Sequence, residues 1–144
     1  MIVATPREAL WAFINARLGI PWSSDFRALG LVKSDCLCAV VAYNGFTGRA
    51  CFMHSAIDDS VAVDRTFVRA VFDYPFNECN VQTIIALVSS ENTRALKLDK
   101  HVGFKEVSRL PGAGMDGHDL VILTMNRNEC RWLKHGKEKY SPGA

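Results

Sequence analysis

The chain has 144 residues, the size of one ordinary domain, and can bury roughly 70% of the surface its unfolded form exposes. Apolar residues at 49% against 22% charged exclude a disordered chain, and a net charge of only +2 excludes the broad basic field that gathers nucleic acid. The longest apolar runs, around 36–43 and 84–88, fall far short of the ~20 residues that cross a bilayer. The first residues lack the basic start and long apolar core of a signal peptide, and an odd count of five cysteines argues against a disulfide framework. Together these features imply a cytoplasmic protein with neither nucleic acid nor membrane as a partner.

In chain order, Thr5-Pro6-Arg7-Glu8 predicts a helix start. Thr5 would accept from the N3 amide, Pro6 would take the first helical position, and Glu8 would complete a capping box. Leu10, Phe13, Ile14 and Leu18 share one face, and Gly19 and Pro21 stop the helix. Strands are expected at 28–33, 36–43 and 49–57. Ser34-Asp35 suits a tight hairpin and Asn44-Gly45-Phe46-Thr47-Gly48 a longer turn, so the three form an antiparallel meander. Asp64 caps a second helix with Phe67, Val68, Val71 and Phe72 on one side, and Pro75 ends it. Residues 81–88 are mostly apolar and rich in β-branched residues, as in a central strand. Ser90 or Asn92 caps a third helix with Ala95, Leu98 and Val102 in line, closed by Gly103. Residues 104–109 and 119–125 make a last strand pair.

The resulting order, α-β-β-β-α-β-α-β-β, contains a β-α-β unit whose right-handed crossover joins parallel strands. The fold class is therefore α/β (α+β): a mixed sheet of six to seven strands with helices on both faces. Residues 1–133 form a single domain, and the polar residues 134–144 a fraying tail. The basic concentration from Arg127 to Lys139 reads as solvated. Cys36 and Cys38 lack a second Cys/His pair for zinc and read as buried apolar cysteines, so no metal is expected. Trp11, Trp22 and Trp132 are scattered, with core and interface roles.

The strongest local signal is Asn92-Thr93-Arg94-Ala95-Leu96-Lys97-Leu98-Asp99-Lys100-His101-Val102-Gly103-Phe104. It resembles the "N-x-x-A … Y-E-K-x-G-F" helix and strand of the GNAT N-acetyltransferases. Glu106, Arg109, Asp116-Gly117, Asp119 and Met125 resemble the end of the ribosomal-protein-acetylating branch. The closing Asn128-Glu129-Cys130-Arg131-Trp132-Leu133 is similar to small GNAT-like proteins carried by bacteriophages, which would act in the host cytoplasm.

The resemblance implies a GNAT-like sheet and transfer of an acetyl group from acetyl-CoA to a primary amine of a small molecule or protein. It implies that the third meander strand splays from the central strand, so that the backbone of His54, Ser55, Ala56 and Ile57 holds the pantetheine arm. Val61, Ala62, Val63, Asp64, Arg65 and Thr66 would form the phosphate loop and helix start. Asn92, Leu98 and Asp99 would face the arm. His54 is a candidate base or a hydrogen-bonded strand histidine. Glu91 could orient a water that deprotonates the amine or serve as a first-turn acid, and Ser89 could hold that water or cap the helix.

Two departures stand out. The family's glycine-rich loop is replaced by Ser60-Val61-Ala62-Val63-Asp64-Arg65, so Arg65 would supply charge where amides lose close approach, opposed by Asp58, Asp59 and Asp64. Asp99 replaces the tyrosine that protonates the leaving thiolate. Flanked by Leu98, Lys100 and His101, it is expected to be unburied, ionised and no acid. The alternative function is a GNAT-fold module that no longer catalyses and acts by binding, as a homodimer or on a host factor.

Overall fold

A computed structural model of the chain describes residues 1–58 and 63–133. The elements are β1 (Ile2–Val3), α1 (Arg7–Leu18), β2 (Arg27–Lys33), β3 (Cys36–Asn44), β4 (Ala50–Ile57), α2 (Arg65–Asp73), β5 (Thr83–Ser89), α3 (Thr93–Val102), β6 (Lys105–Leu110) and β7 (Leu120–Asn126). The strands form one mixed sheet in the order β1-β2-β3-β4-β5-β7-β6. Every element read from the sequence is present within two residues of its expected ends. Strand β1 is the addition. Two residues are too few to show a period, and they pair antiparallel with Leu31 and Gly30 at the sheet edge. No helix among the described residues is long and apolar enough to cross a membrane.

The sheet separates two apolar layers. On one face, Leu10 and Ile14 of α1 pack with Phe26, Ala28, Val40, Ala42 and Ala56. On the other, Phe67, Val71 and Phe72 of α2 and Leu96 of α3 pack with Val41, Met53, Ile84 and Leu123. The split follows strand alternation: Met53 faces one layer and Ala56 the other. The Ser34-Asp35 hairpin has both residues at positive φ (50 and 60), the geometry that matches the twist of its flanking strands.

Three local expectations need correction. Pro6, in an extended conformation, is itself the N-cap of α1, and no side chain bonds there, so the Thr5–Glu8 capping box does not form. Pro75 does not end the helical path of α2. A single π-helical turn, Tyr74–Glu78, follows directly, closed by the Cys79 amide on the Tyr74 carbonyl at 3.0 Å. Proline lacks the N–H that would bond the carbonyl four residues back. That carbonyl, of Val71, accepts instead from the buried Tyr43 hydroxyl at 2.6 Å. Cys36 is exposed because it sits at the hairpin tip, and Cys38 is half-buried against the core, so neither is fully buried as expected.

The end of the described chain latches α3. Trp132 Nε1 donates to the Val102 carbonyl at 2.8 Å and Arg131 to that of His101 at 2.5 Å. These are carbonyls of the last helical turn, which the helix itself cannot satisfy. Arg131 is thus a structural donor and not a solvated tail charge. Residues 134–144 lie outside the described residues.

Candidate functional site

The feature that organises the site is a gap in the sheet. Parallel strands β4 and β5 pair at Ala50 with Thr83, Cys51 with Ile84 and Phe52 with Ile85. Beyond these pairs β4 runs on to Ile57, bonded only to β3, and β5 to Ser89, bonded only to β7. The seam therefore opens toward the C-terminal ends of both strands. Among the described residues, backbone groups of β4 that point into it have no strand partner, and such groups are a template for an extended ligand.

At this opening lies a cleft of about 310 Å³, within the range of small-molecule sites. Its floor is Ser55, Ala56, Ile57 and Asp58 at the end of β4. One wall is Asn92, Arg94, Ala95 and Leu98 of α3; the other is Arg17 and Leu18 at the end of α1. Asn92 caps α3 and also borders the cleft. Its Oδ1 accepts from the Ala95 amide at 3.2 Å. Of the phosphate-loop residues, Val61 and Ala62 lie outside the described residues, as do Asp59 and Ser60. Val63 packs on the core, and Arg65 and Thr66 are exposed in the first turn of α2.

Two of the three acids expected to repel phosphate are already engaged. Asp64 caps α2, accepting from the Phe67 amide at 2.9 Å. Asp58 pairs with Arg17, whose Nε lies 3.0 Å from Oδ1 and whose Nη2 lies 3.4 Å from Oδ2. Arg17 has no signal in the sequence, because the contact spans 41 positions and joins two elements not adjacent in the chain.

Asp99 corrects the expectation of exposure. It is only 8% exposed, and burial pushes its carboxyl up to about 6. The helix period accounts for this: Asp99 lies three residues after buried Leu96 and four after Ala95, while Lys100 and His101 project outward. It thus stands one turn along α3 from the cleft wall and is still ionised at neutral pH.

His54 lies on β4 opposite Ala42, and its Nε2 donates to Asn44 Oδ1 at 2.9 Å, leaving Nδ1 as the acceptor. Burial pushes its pKa below the ordinary 6.5. Its ring is not among the cleft-lining groups, although its backbone adjoins them.

Ser89 and Glu91 meet at the end of β5, where the Glu91 amide donates to Ser89 Oγ at 3.2 Å. Ser89 Oγ in turn donates to Asp116 Oδ2 at 2.5 Å. Asp116 also accepts from the His118 amide, and the Ser89 bond followed by that amide holds its carboxyl below the usual carboxylate range. The end of β5 and the β6–β7 connection that carries Asp116 thus meet at the open seam. Sequence reading saw Asp116 only as part of a spaced pattern. Among the described residues no three His, Cys, Asp or Glu side chains group as a metal site.

No family model matches the chain, and no curated protein does. Solved structures do. A point mutant of the spermidine N-acetyltransferase SpeG from Vibrio cholerae superposes with a TM-score of 0.74 at 17% identity, covering 94% of this chain and 96% of that one. The same organism's spermidine/spermine N-acetyltransferase SpeG in complex with manganese ions gives 0.70 at 18% identity, covering 88% and 91%. Glu-to-Gln mutant forms of it give 0.73 at 17%, covering 89% and 95%. At this identity the likeness is one of fold, and the chain has the mixed α/β fold of the GNAT acetyltransferases.

Proposed function

We propose that the chain is an acetyl-CoA-dependent N-acetyltransferase acting on a primary amine. The observation that carries this reading is the open seam beyond Phe52 and Ile85, with its unpaired β4 backbone and a cleft between that backbone and α3. The residues present fit the cofactor: an extended arm bearing amide groups adds to an unpaired strand edge as a further strand would.

Bound acetyl-CoA supplies an acetyl group activated as a thioester. Backbone around 53–57 holds the arm, and an amide there polarises the acetyl carbonyl, which is worth most in a site that excludes water. Asn92, Ala95 and Leu98 form the opposite wall. The amine must arrive neutral, so a proton leaves it before or during attack. On this reading Ser89 and Glu91, at the end of β5, would hold the water that takes this proton; the bond between the Glu91 amide and Ser89 Oγ keeps the two together. His54 supports the strand through Asn44, and its uncommitted Nδ1 makes it the second candidate acceptor. Asp99 faces the sulfur end of the arm on this reading but is mainly ionised at neutral pH, so the thiolate leaves without a strong acid.

The acceptor to test first is a polyamine, because the similar structures carry that activity in their names. Protein amines, which the ribosomal-protein branch modifies, are the second set. Isothermal titration with acetyl-CoA and CoA, followed by product detection with spermidine and an amine panel, tests the reading. Micromolar to sub-millimolar binding with product is expected, and absence of binding at millimolar acetyl-CoA would sink it. The glycine-free loop and Asp99 favour a second reading, a binding module without catalysis. Binding without turnover across the panel would support that one.

A further inference from the structure

We propose that Arg17 is an anion-binding residue of the cleft and takes a phosphate group of the ligand whose arm lies along β4. The inference rests on the acetyl-CoA reading and extends it to a residue on the opposite sheet face from α2 and α3. Arg17 stands in the last turn of α1 and lines the cleft beside Leu18, facing the α3 wall. Its guanidinium is held in place. Nε and Nη2 donate to Asp58 at 3.0 and 3.4 Å, Nη1 donates to the Phe13 carbonyl at 3.1 Å, and the group lies 3.4 Å from the centre of the Phe13 ring.

A guanidinium has five N–H donors in a rigid fork. Among the described residues three are committed, leaving one on each terminal nitrogen, and the side chain is 39% exposed. A cation fixed by three bonds and a ring, with two donors to spare at the mouth of a cleft, is pre-organised for a second oxyanion. The chemistry also calls for one. Residues 60–65 contain no glycine, so backbone amides cannot approach a diphosphate as closely as a glycine loop allows. A side-chain cation replaces that contact. Asp58 orients the fork and competes for it, so removing the Asp58 charge frees donors of Arg17 while the Phe13 carbonyl and ring still hold the group.

The test is CoA titration of the wild-type chain, Arg17→Ala, Arg17→Lys and Asp58→Asn at low and high salt, with a thermal melt of each. Arg17→Ala is expected to weaken CoA binding about tenfold at low salt, and the loss should shrink at high salt as charges are screened. Arg17→Lys keeps the charge without the fork and should fall between. Asp58→Asn should bind CoA as well as wild type or better. Equal affinity of wild type and Arg17→Ala at low salt overturns the proposal. So does an Asp58→Asn loss as large as that of Arg17→Ala, because the pair would then only tie α1 to β4. If the wild-type chain binds no CoA, the acetyl-CoA reading itself fails, an outcome separate from either of these.

Discussion

The Ser89 hydroxyl donates to the Asp116 carboxylate at 2.5 Å, fastening the β6–β7 connection to the open end of β5. The same connection is braced internally, with Gly112 donating to Asp119 Oδ1 at 3.1 Å and Gly114 to the His118 carbonyl at 2.8 Å. Its residues are otherwise exposed, so these bonds give it its shape. Asp116→Ala should therefore raise hydrogen exchange across 111–119 while β7 keeps its protection, since Val121, Leu123 and Met125 are buried independently of the loop. Unchanged exchange in the loop would show that the Ser89 bond does not hold it. If the acetyltransferase reading is right, the same variant should raise KM for the amine and leave CoA affinity within about twofold, because Asp116 touches the end of β5 and not the α3 wall.

Gly103 closes α3 at φ 120, and its amide bonds the carbonyls of Asp99 and Lys100. A side chain at that φ is strained whatever space surrounds it, and here a Cβ would also meet the Met125 methyl at 3.2 Å. Gly103→Ala should cost roughly 1–2 kcal/mol in urea unfolding. A midpoint equal to wild type would mean that the helix end relaxes into another conformation.

Gly103 was legible because a helix end needs a residue free to take positive φ, and the element order was legible because apolar runs and turn residues alternate cleanly. The open seam was legible only through family resemblance, since nothing in the residues of β4 themselves ends a ladder at Phe52. Arg17 was not legible at all. Its role depends on where α1 crosses the end of β4, and helix period does not fix a crossing. Asp99 is the instructive miss. Its neighbours in sequence, Lys100 and His101, suggested a charged surface, while its neighbours in space follow the helix period through Ala95 and Leu96. The Tyr43 bond to Val71 was equally hidden, because a hydroxyl that replaces the N–H missing from Pro75 comes from a strand 32 positions earlier.

His54 carries a signed pH effect. Its pKa is pushed below 6.5 by burial, so the neutral ring is the form the folded state prefers. Below pH 6.5 the unfolded chain binds the proton more readily, and stability falls as pH drops through the folded pKa. His54→Gln should flatten that fall while preserving most of the stability above pH 7. Turnover, measured where the wild type is active, should stay within about threefold if the ring serves the strand. A loss of a hundredfold or more with CoA affinity intact would instead make Nδ1 the proton acceptor.

Asp99 carries the opposite sign over a different window. Its folded pKa of about 6 stands above the ordinary 3.8, with burial as the cause. Between those values the folded state holds the proton more tightly than the unfolded state does. Stability therefore falls as pH rises from about 4 to about 6, then stays level. The full effect at neutral pH is roughly 3 kcal/mol of destabilisation, taking 1.36 kcal/mol for each unit. Asp99→Asn removes the charge and keeps the shape, so its stability relative to wild type should climb across that window and plateau above it. Comparing the two at several pH values matters more than either alone, because a buried amide has its own desolvation cost that does not vary with pH. Parallel curves for the two proteins would show that the carboxyl is not buried as an anion. The chemical consequence follows from the same position. On the acetyltransferase reading, the carboxyl at pH 8 is almost wholly ionised and has no proton to give the leaving sulfur, so Asp99→Asn should leave turnover within about twofold. Asp99→Tyr would supply a hydroxyl that keeps its proton at that pH, and it should raise turnover provided the melt shows the larger side chain is accommodated. A large loss in Asp99→Asn with fold and CoA affinity preserved would show that the carboxylate takes a direct part in the transfer.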